Sequence, residues 1–278
     1  MIQVGKFYQL KIANFASFGA YLDAETGNRQ DNILLPGKQV PPGSKVGDSL
    51  EVYIYHDSEN RKIATTRKPL AQTGDLAYLK VTAKTQLGAF LDIGLERDLF
   101  LPFREQKFPV AVGKSYLVAV YTDKSGRLTC TLDVYDKLTT DSQYQKNDKV
   151  TGTVYLIVQD IGAFVAVDNK YKGLIPVSEL YQHLSPGDQV QVRVIRRRED
   201  GKLDLSTREL THNQMEIDGE VLLTAMRNNN GYLPLDEKAP PHEIEKRYHM
   251  SKAAFKRAIG GLLKSNAIVK STDGIKLR

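Results

Sequence analysis

One short pattern occurs three times along the chain and limits what the chain can fold into. A glycine–alanine pair, flanked by large apolar residues, begins at Gly19, Gly88 and Gly162. Counted from that glycine, a proline follows after 17, 14 and 14 residues, and a second glycine follows after 28, 25 and 25 residues. A fixed order of landmarks that repeats every 69 to 74 residues indicates internal duplication.

The first repeat predicts what each unit folds into. Its runs of apolar or alternating residues cover 5–13, 18–23, 33–36, 49–56 and 62–67. Five short strands at this spacing are typical of a small closed Greek-key barrel of the OB type. A glycine inside a strand, beside an aromatic residue, is typical of a barrel strand that coils sharply at its middle. We therefore predict a mainly β chain that contains three tandem five-stranded OB-fold barrels.

The period of the apolar residues changes from strand-like to helical after residue 210. Helical patterns cover 218–228 and 252–266, Pro240-Pro241-His242 opens a further helix, and Ser251 is a good N-cap for the last one. Two short apolar runs around Thr272-Asp273-Gly274 predict a terminal hairpin. Three helices and a hairpin resemble a winged helix-turn-helix, which places its third helix in a DNA major groove.

The landmarks divide the chain into four predicted domains. The first three are OB-fold repeats at 1–70, 71–134 and 146–210, and the fourth is a small α+β winged-helix domain at 211–278. The polar segment between the second and third repeats is expected to be a linker.

Composition narrows the class of protein. The net charge is +6, a modest basic bias that only slightly favours nucleic-acid binding. The second repeat carries no net charge, so we expect it to serve mainly as a spacer, whereas the last segment is the most basic. One cysteine, Cys130, excludes an internal disulfide and fits a reducing compartment. With no signal peptide or apolar stretch long enough to span a membrane, we expect a cytoplasmic protein.

We find no motif for catalysis. The chain has no Gly-x-x-x-x-Gly-Lys phosphate loop and no Gly-x-Ser-x-Gly elbow, and its five histidines show no metal-ligand spacing. A non-enzymatic binding protein without a cofactor or metal is therefore the leading hypothesis.

Aromatic and basic residues are the candidates for nucleic-acid binding. Exposed rings act as stacking platforms for bases, and arginines beside them contact phosphate or stack on bases. The glycine bend favours an outward position for Phe18, although both Phe18 and Tyr21 could instead belong to the core. The densest basic patch is the arginine run at 193–198, which could also be a solvated hairpin. The candidate residues are Phe18, Tyr21, Arg67, Phe90, Phe164, Arg193, Arg196, Arg198, Arg208, Lys252, Lys256 and Arg257.

The third repeat resembles a known RNA-binding family. Gly162-Ala163-Phe164-Val165, then Gly173 to Leu180 (GLIPVSEL), then Leu205-Ser206-Thr207-Arg208 resemble the S-one domain, which is repeated in the largest protein of the bacterial small ribosomal subunit. The resemblance implies an OB barrel that binds single-stranded RNA through aromatic residues, a histidine and a closing basic residue. Phe164 and Arg208 match that set.

The third repeat differs from the S-one domain at two of the positions that bind RNA in that family. Ile161 stands where the family has its first aromatic residue, and Pro176 stands where it has the histidine. The first repeat keeps both rings and Arg67, but it also has a proline, Pro36.

The order of domains, together with Ser251 to Leu262 (SKAAFKRAIGGL), resembles the conserved virulence factor B family of bacteria over essentially the whole chain. That resemblance implies an RNA-binding regulator of gene expression, linked in some members to virulence-gene control.

Three hypotheses for function follow. The first is a single-stranded RNA binder in which the winged helix assists or contacts a protein partner. The second is a regulator that binds duplex DNA through the winged helix. The third is a scaffold that recruits a nuclease or the transcription machinery.

Overall fold

The computed structural model describes residues 2–208, 211–235, 239–271 and 274–278. The chain forms two compact units, Met1–Thr207 and Arg208–Arg278, here called unit 1 and unit 2. Within the described residues, no helix is both long and apolar enough to cross a lipid bilayer.

Unit 1 consists of three closed barrels, each built from five strands. Barrel 1 contains β1 (Phe7–Ala16), β2 (Gly19–Leu22), β3 (Ile33–Pro36), β4 (Ser49–His56) and β5 (Lys62–Thr65). Barrel 2 contains β6 (Leu76–Lys84), β7 (Gly88–Leu91), β8 (Leu99–Pro102), β9 (Ser115–Thr122) and β10 (Leu128–Thr131). Barrel 3 contains β11 (Lys149–Val158), β12 (Gly162–Val167), β13 (Tyr171–Pro176), β14 (Gln189–Arg197) and β15 (Leu203–Ser206).

All three barrels have one topology. In barrel 1 the strand order is β1-β2-β3-β5-β4, and β4 closes the barrel by pairing with β1. The third and fifth strands run parallel, with Leu34 opposite Ile63, and the other pairs are antiparallel. This arrangement confirms the predicted five-stranded barrels of the OB type.

The first strand of every barrel carries an irregularity at the same place. Its pairing shifts between Ile12 and Asn14 in β1, and at the equivalent positions of β6 and β11. An extra residue of this kind bends a strand and increases its twist. The bend lets the first strand pair with the second strand at one end and with the fourth at the other.

The repeated glycine is required by the close approach of two strands. A Cβ placed on Gly19, Gly88 or Gly162 would lie 2.2, 2.3 or 2.0 Å from a carbonyl oxygen of the facing strand. Real Cβ atoms do not come so close to an oxygen, so a larger residue would push the second and third strands apart. The alanine that follows is fully buried in each barrel, which explains the Gly-Ala pair found in the sequence.

Each barrel has its own core, formed by the inward residues of alternating strands. Cys130 is fully buried in the core of barrel 2, and burial raises the pKa of its thiol. Cys130 therefore serves as a small apolar side chain of this core.

The barrels of unit 1 also pack against one another. Between barrels 1 and 2, Leu128 packs against both cores and the Thr73 amide donates to the Gly5 carbonyl at 2.8 Å. Between barrels 2 and 3, Leu138 is buried in a shared cluster, although it lies in the segment predicted to be a polar linker. The buried side chain of Leu138 therefore anchors this polar segment against barrels 2 and 3.

Over its described residues, unit 2 contains three helices and a small sheet. Its elements are α1 (Thr211–Arg227), β16 (Tyr232–Leu233), α2 (Pro241–Tyr248), α3 (Lys252–Lys264), β17 (Ile268–Ser271) and β18 (Gly274–Leu277). The sheet order is β16-β18-β17, and this fold confirms the predicted winged helix. Helix α1 begins seven residues earlier than its apolar pattern indicated, and β16 was not predicted. Of the predicted turn, Thr272 and Asp273 lie outside the described residues.

Helix α3 begins where the sequence indicated. The Ser251 hydroxyl accepts a hydrogen bond from the Ala254 amide at 3.2 Å, which is N-cap geometry. Phe255 and Ile259 are buried in the core of unit 2. Of the two glycines of α3, Gly261 is closely packed, since a Cβ there would meet Met215 at 3.3 Å. At Gly260 no described atom outside the backbone of its own helix lies within 4 Å of that position.

Candidate nucleic-acid interface

The residue just before the Gly-Ala pair is exposed in every barrel. Phe18 is 57% exposed, Leu87 is 77% exposed and Ile161 is 48% exposed. The sequence left open whether Phe18 belongs to the core, and the structure places it outside.

The second motif residue is half-buried on the outer face of each barrel. Tyr21, Phe90 and Phe164 alternate with the buried residues on either side, as the period of a strand requires. Across to the third strand, Tyr21 faces Leu34 and Phe90 faces Phe100. All three side chains therefore belong to the outer surface rather than to the barrel interior, although their surroundings differ.

On barrel 1 the two rings lie together and face solvent. The ring centroids of Phe18 and Tyr21 are 6.1 Å apart, with planes at 81° to each other. A further exposed ring, Phe15, lies on β1 opposite Ala20. Sequence reasoning missed Phe15, because the irregularity in β1 disrupts the alternation on which that reasoning depended.

Arg67 extends from an anchored backbone into solvent. The side-chain oxygen of Gln39 accepts hydrogen bonds from the Thr65 hydroxyl at 2.5 Å and from the Thr66 amide at 3.0 Å, which fixes the end of β5. The guanidinium of Arg67 lies 3.7 Å from the Glu96 carboxylate, and both side chains are more than half exposed. An exposed ion pair of this kind contributes about 0–1 kcal/mol, so a phosphate can displace it at little cost.

On barrel 3 the ring lies in a crowded place. Phe164 packs against the cluster shared by barrels 2 and 3, and its centroid is 6.1 Å from that of Tyr155. The Tyr155 hydroxyl is buried with no hydrogen-bond partner among the described residues, and burial raises the pKa of Tyr155. Phe164 is therefore less available to a base than Phe18.

Two residues of the arginine run share one carboxylate. Asp204 on β15 accepts hydrogen bonds from Arg196 Nε at 2.6 Å and from Arg198 Nε at 2.7 Å. Burial alone would raise the pKa of Asp204, but the hydrogen bonds from Arg198 and Arg196 outweigh it and hold the pKa below its usual range. The arginine run is thus less positive than its sequence suggests. Sequence reasoning missed Asp204, whose signal was an acidic residue between the core residues Leu203 and Leu205.

The remaining residues predicted to bind nucleic acid lie in different parts of the chain. Arg193 Nη1 donates to the Asn147 side-chain oxygen at 3.2 Å, and Arg208, which is exposed, is the first residue of unit 2. On α3, Lys256 and Arg257 are exposed and Lys252 is half-buried. Among the described residues, no group of three His, Cys, Asp or Glu side chains is arranged to hold a metal ion.

Three family models together match nearly the whole chain. The model described as "S1 domain" matches residues 4–67 and 73–133. The model described as "Virulence regulatory factor CvfB, second domain" matches residues 136–209, and the "CvfB-like winged helix domain" matches residues 220–277.

Relatives from bacteria are similar over most of their length. The protein named "Uncharacterized protein YitL" of Bacillus subtilis is 33% identical over 274 residues, covering 95% of this chain and 90% of that protein. "Conserved virulence factor B" of Staphylococcus epidermidis is 28% identical, covering 84% of this chain and 81% of that protein. A crystal structure from Streptococcus pneumoniae, described as a multidomain protein with nucleic acid binding domains, is similar in fold, with a TM-score of 0.55 and 24% identity. It covers 99% of this chain and 98% of that one.

Proposed function

The chain belongs to the conserved virulence factor B family, and on that premise we propose that it is a non-enzymatic, single-stranded RNA-binding protein that regulates gene expression after transcription. S1 and winged-helix domains support nucleic-acid binding in general. The preference for single-stranded RNA and the regulatory role are our proposal.

The observation that carries the proposal is the outer face of barrel 1. Phe18 and Tyr21 present adjacent rings to solvent, and Arg67 on the same barrel forms an exposed ion pair with Glu96. Stacking of one base on an aromatic side chain is worth about 1–3 kcal/mol and tolerates any base, since every base has a π-face. A duplex hides the faces of its bases, so such a platform favours an unpaired strand.

The winged helix has an assisting role in this proposal. Lys256 and Arg257 are exposed on α3 and can contact phosphates of RNA or the acidic surface of a protein partner. Several cations on one helix are common on protein surfaces, so α3 by itself does not favour duplex DNA.

The test is a binding titration of the full chain at one stated salt concentration. The probes are a labelled uridine oligomer, the deoxythymidine oligomer of the same length, and a DNA duplex. We expect the RNA oligomer to bind most tightly, and we expect Phe18→Leu to weaken it about tenfold, a loss of about 1.4 kcal/mol. Phe103→Leu removes an exposed ring outside the motif and is the matched control.

Two outcomes would overturn the proposal. Tighter binding of duplex DNA by about tenfold would favour the winged helix as the main DNA-binding element. Weak binding of every probe, with protein partners that are retained from lysate after nuclease treatment, would favour a scaffold.

A further inference from the structure

A cleft of about 550 Å³ lies between barrels 1 and 2. The hairpin between β4 and β5 of barrel 1 forms one wall, with Tyr55 and His56, and the outer face of barrel 2 forms the other. Its volume is within the range of pockets that hold small ligands. Because Leu128 packs against the cores of both barrels, the two walls are held at a fixed distance.

The floor of the cleft is aromatic. Phe90 and Phe100 lie side by side on β7 and β8, with ring centroids 5.3 Å apart. A Cβ on Gly88 would lie 2.8 Å from the Phe100 ring, so the glycine of the motif also makes room for that ring. Leu95 extends the apolar lining. A floor of this kind accepts the flat face of a planar ring such as a nucleobase.

The rim of the cleft is basic. Arg97 Nη1 donates to the Asp57 carbonyl across the junction of the two barrels, and Arg127 lies in the hairpin between β9 and β10. One carboxylate, Asp98, also lines the cleft and accepts a hydrogen bond from the Thr82 hydroxyl at 2.6 Å.

The pKa of His56 reflects the electrostatic environment of this cleft. Burial is the largest cause that lowers the pKa of His56, and the positive charges of Lys62, Arg127 and Arg97 lower it further, against one opposing carboxylate, Asp57. The cleft therefore combines an aromatic floor with a positive rim, as a nucleotide requires.

We propose that this cleft binds one unstacked nucleotide of the single-stranded RNA, with its base against Phe90 and Phe100 and its phosphate beside Arg97 and Arg127. The inference rests on the function proposed above and names a second site for the same strand. It also changes the role of barrel 2. Its zero net charge predicted a spacer, but a single phosphate responds to the charges next to it rather than to the charge of the domain.

The experiment compares two charge removals in one hairpin. Arg127→Gln removes a cation from the rim, whereas Lys124→Gln removes an exposed cation of the same hairpin that does not line the cleft. With the labelled uridine oligomer, we expect Arg127→Gln to weaken binding several-fold and to reduce the salt slope by about one. Lys124→Gln should change both quantities less.

Phe100→Leu tests the floor in the same titration and should weaken binding about threefold to tenfold at an unchanged salt slope. Its urea unfolding midpoint shows whether it folds, and if it does not, the comparison of Arg127 with Lys124 still decides the question. Equal effects of Arg127→Gln and Lys124→Gln would overturn the inference. The proposed function fails separately, if the unaltered chain does not prefer single-stranded RNA or if Phe18→Leu has no effect.

Discussion

Barrels 1 and 3 share one design and differ in what surrounds it. Both have the same strand order, the same irregular first strand and the same glycine against a facing carbonyl. At the first motif position barrel 1 presents the ring of Phe18 to solvent, where barrel 3 has the exposed aliphatic Ile161. At the second position, barrel 3 packs its ring, Phe164, against a cluster that barrel 2 completes. Barrel 3 resembles the S-one domain more closely in sequence, yet barrel 1 has the more accessible ring. The motif thus predicts which face of a barrel carries the aromatic side chains. The packing of the neighbouring barrel determines how accessible those side chains are to a nucleic acid.

The largest expected effect tests what the two barrels share. Gly162→Ala should destabilise the chain by about 3 kcal/mol, because its φ of 130° is strained for alanine and its Cβ would meet the Ile175 carbonyl oxygen. Gly19→Ala meets the same contact without the positive φ, so it should cost less. Urea unfolding of both variants measures the difference. A loss below about 1 kcal/mol for Gly162→Ala would show that the strands can move apart.

The next effect tests where the two barrels differ. Phe18→Leu should lower the affinity for the uridine oligomer about tenfold and leave the unfolding midpoint unchanged, because the ring faces solvent. Phe164→Leu should lower the free energy of unfolding by about 1 kcal/mol and lower the affinity less, because its ring packs at the junction. Fluorescence titration measures the affinity of each variant for the uridine oligomer, and urea unfolding measures the stability of each. The reverse order of the two affinities would mean that the junction opens when RNA binds.

A smaller effect on stability concerns Asp204 of barrel 3. Barrel 1 has no carboxylate at the equivalent position, which is occupied by Ile63. The pKa of Asp204 is depressed in the folded chain, so its contribution to stability is present above the ordinary pKa of 3.8 and is lost as the pH falls through the folded pKa. Asp204→Asn should therefore cost about 1 kcal/mol at neutral pH, an amount kept low by the exposure of Arg196. Urea unfolding from neutral to acidic pH should show the difference from the unaltered chain narrowing as the pH falls. A constant difference would mean that packing, not charge, is lost.

The smallest expected effect is a stabilising glycine-to-alanine substitution, in contrast to the destabilising ones in the barrels. Gly260→Ala should stabilise unit 2 by about 0.5–1 kcal/mol, because the new methyl group meets no described atom outside the backbone of its own helix and alanine is the better helix former. Gly261→Ala is the matched control, since its methyl group would lie 3.3 Å from Met215 and should give a smaller gain or a loss. Thermal unfolding monitored by helix content compares the two. Equal gains would show that Met215 moves without cost.

The sequence by itself determined the barrels, their number and the winged helix, because these depend on local rules. The Gly-Ala pair, the prolines and the turn residues recur at fixed offsets, and the Ser251 cap follows from residue type and position. The start of α1 and the strand β16 were not predicted. The first turns of α1 lack a clear apolar period, and β16 is two residues long and depends on its pairing with β18.

Only the tertiary structure decided which rings and charges are available. The burial of Asp204 beneath Arg196 and Arg198, the exposed pair of Arg67 with Glu96, and the cleft beside Phe90 all join residues that lie on different strands or in different barrels. The sequence records the side chains but not these neighbours. Since the free energy of a ring or a charge depends on how much water its neighbours leave around it, availability is a property of the assembled barrels.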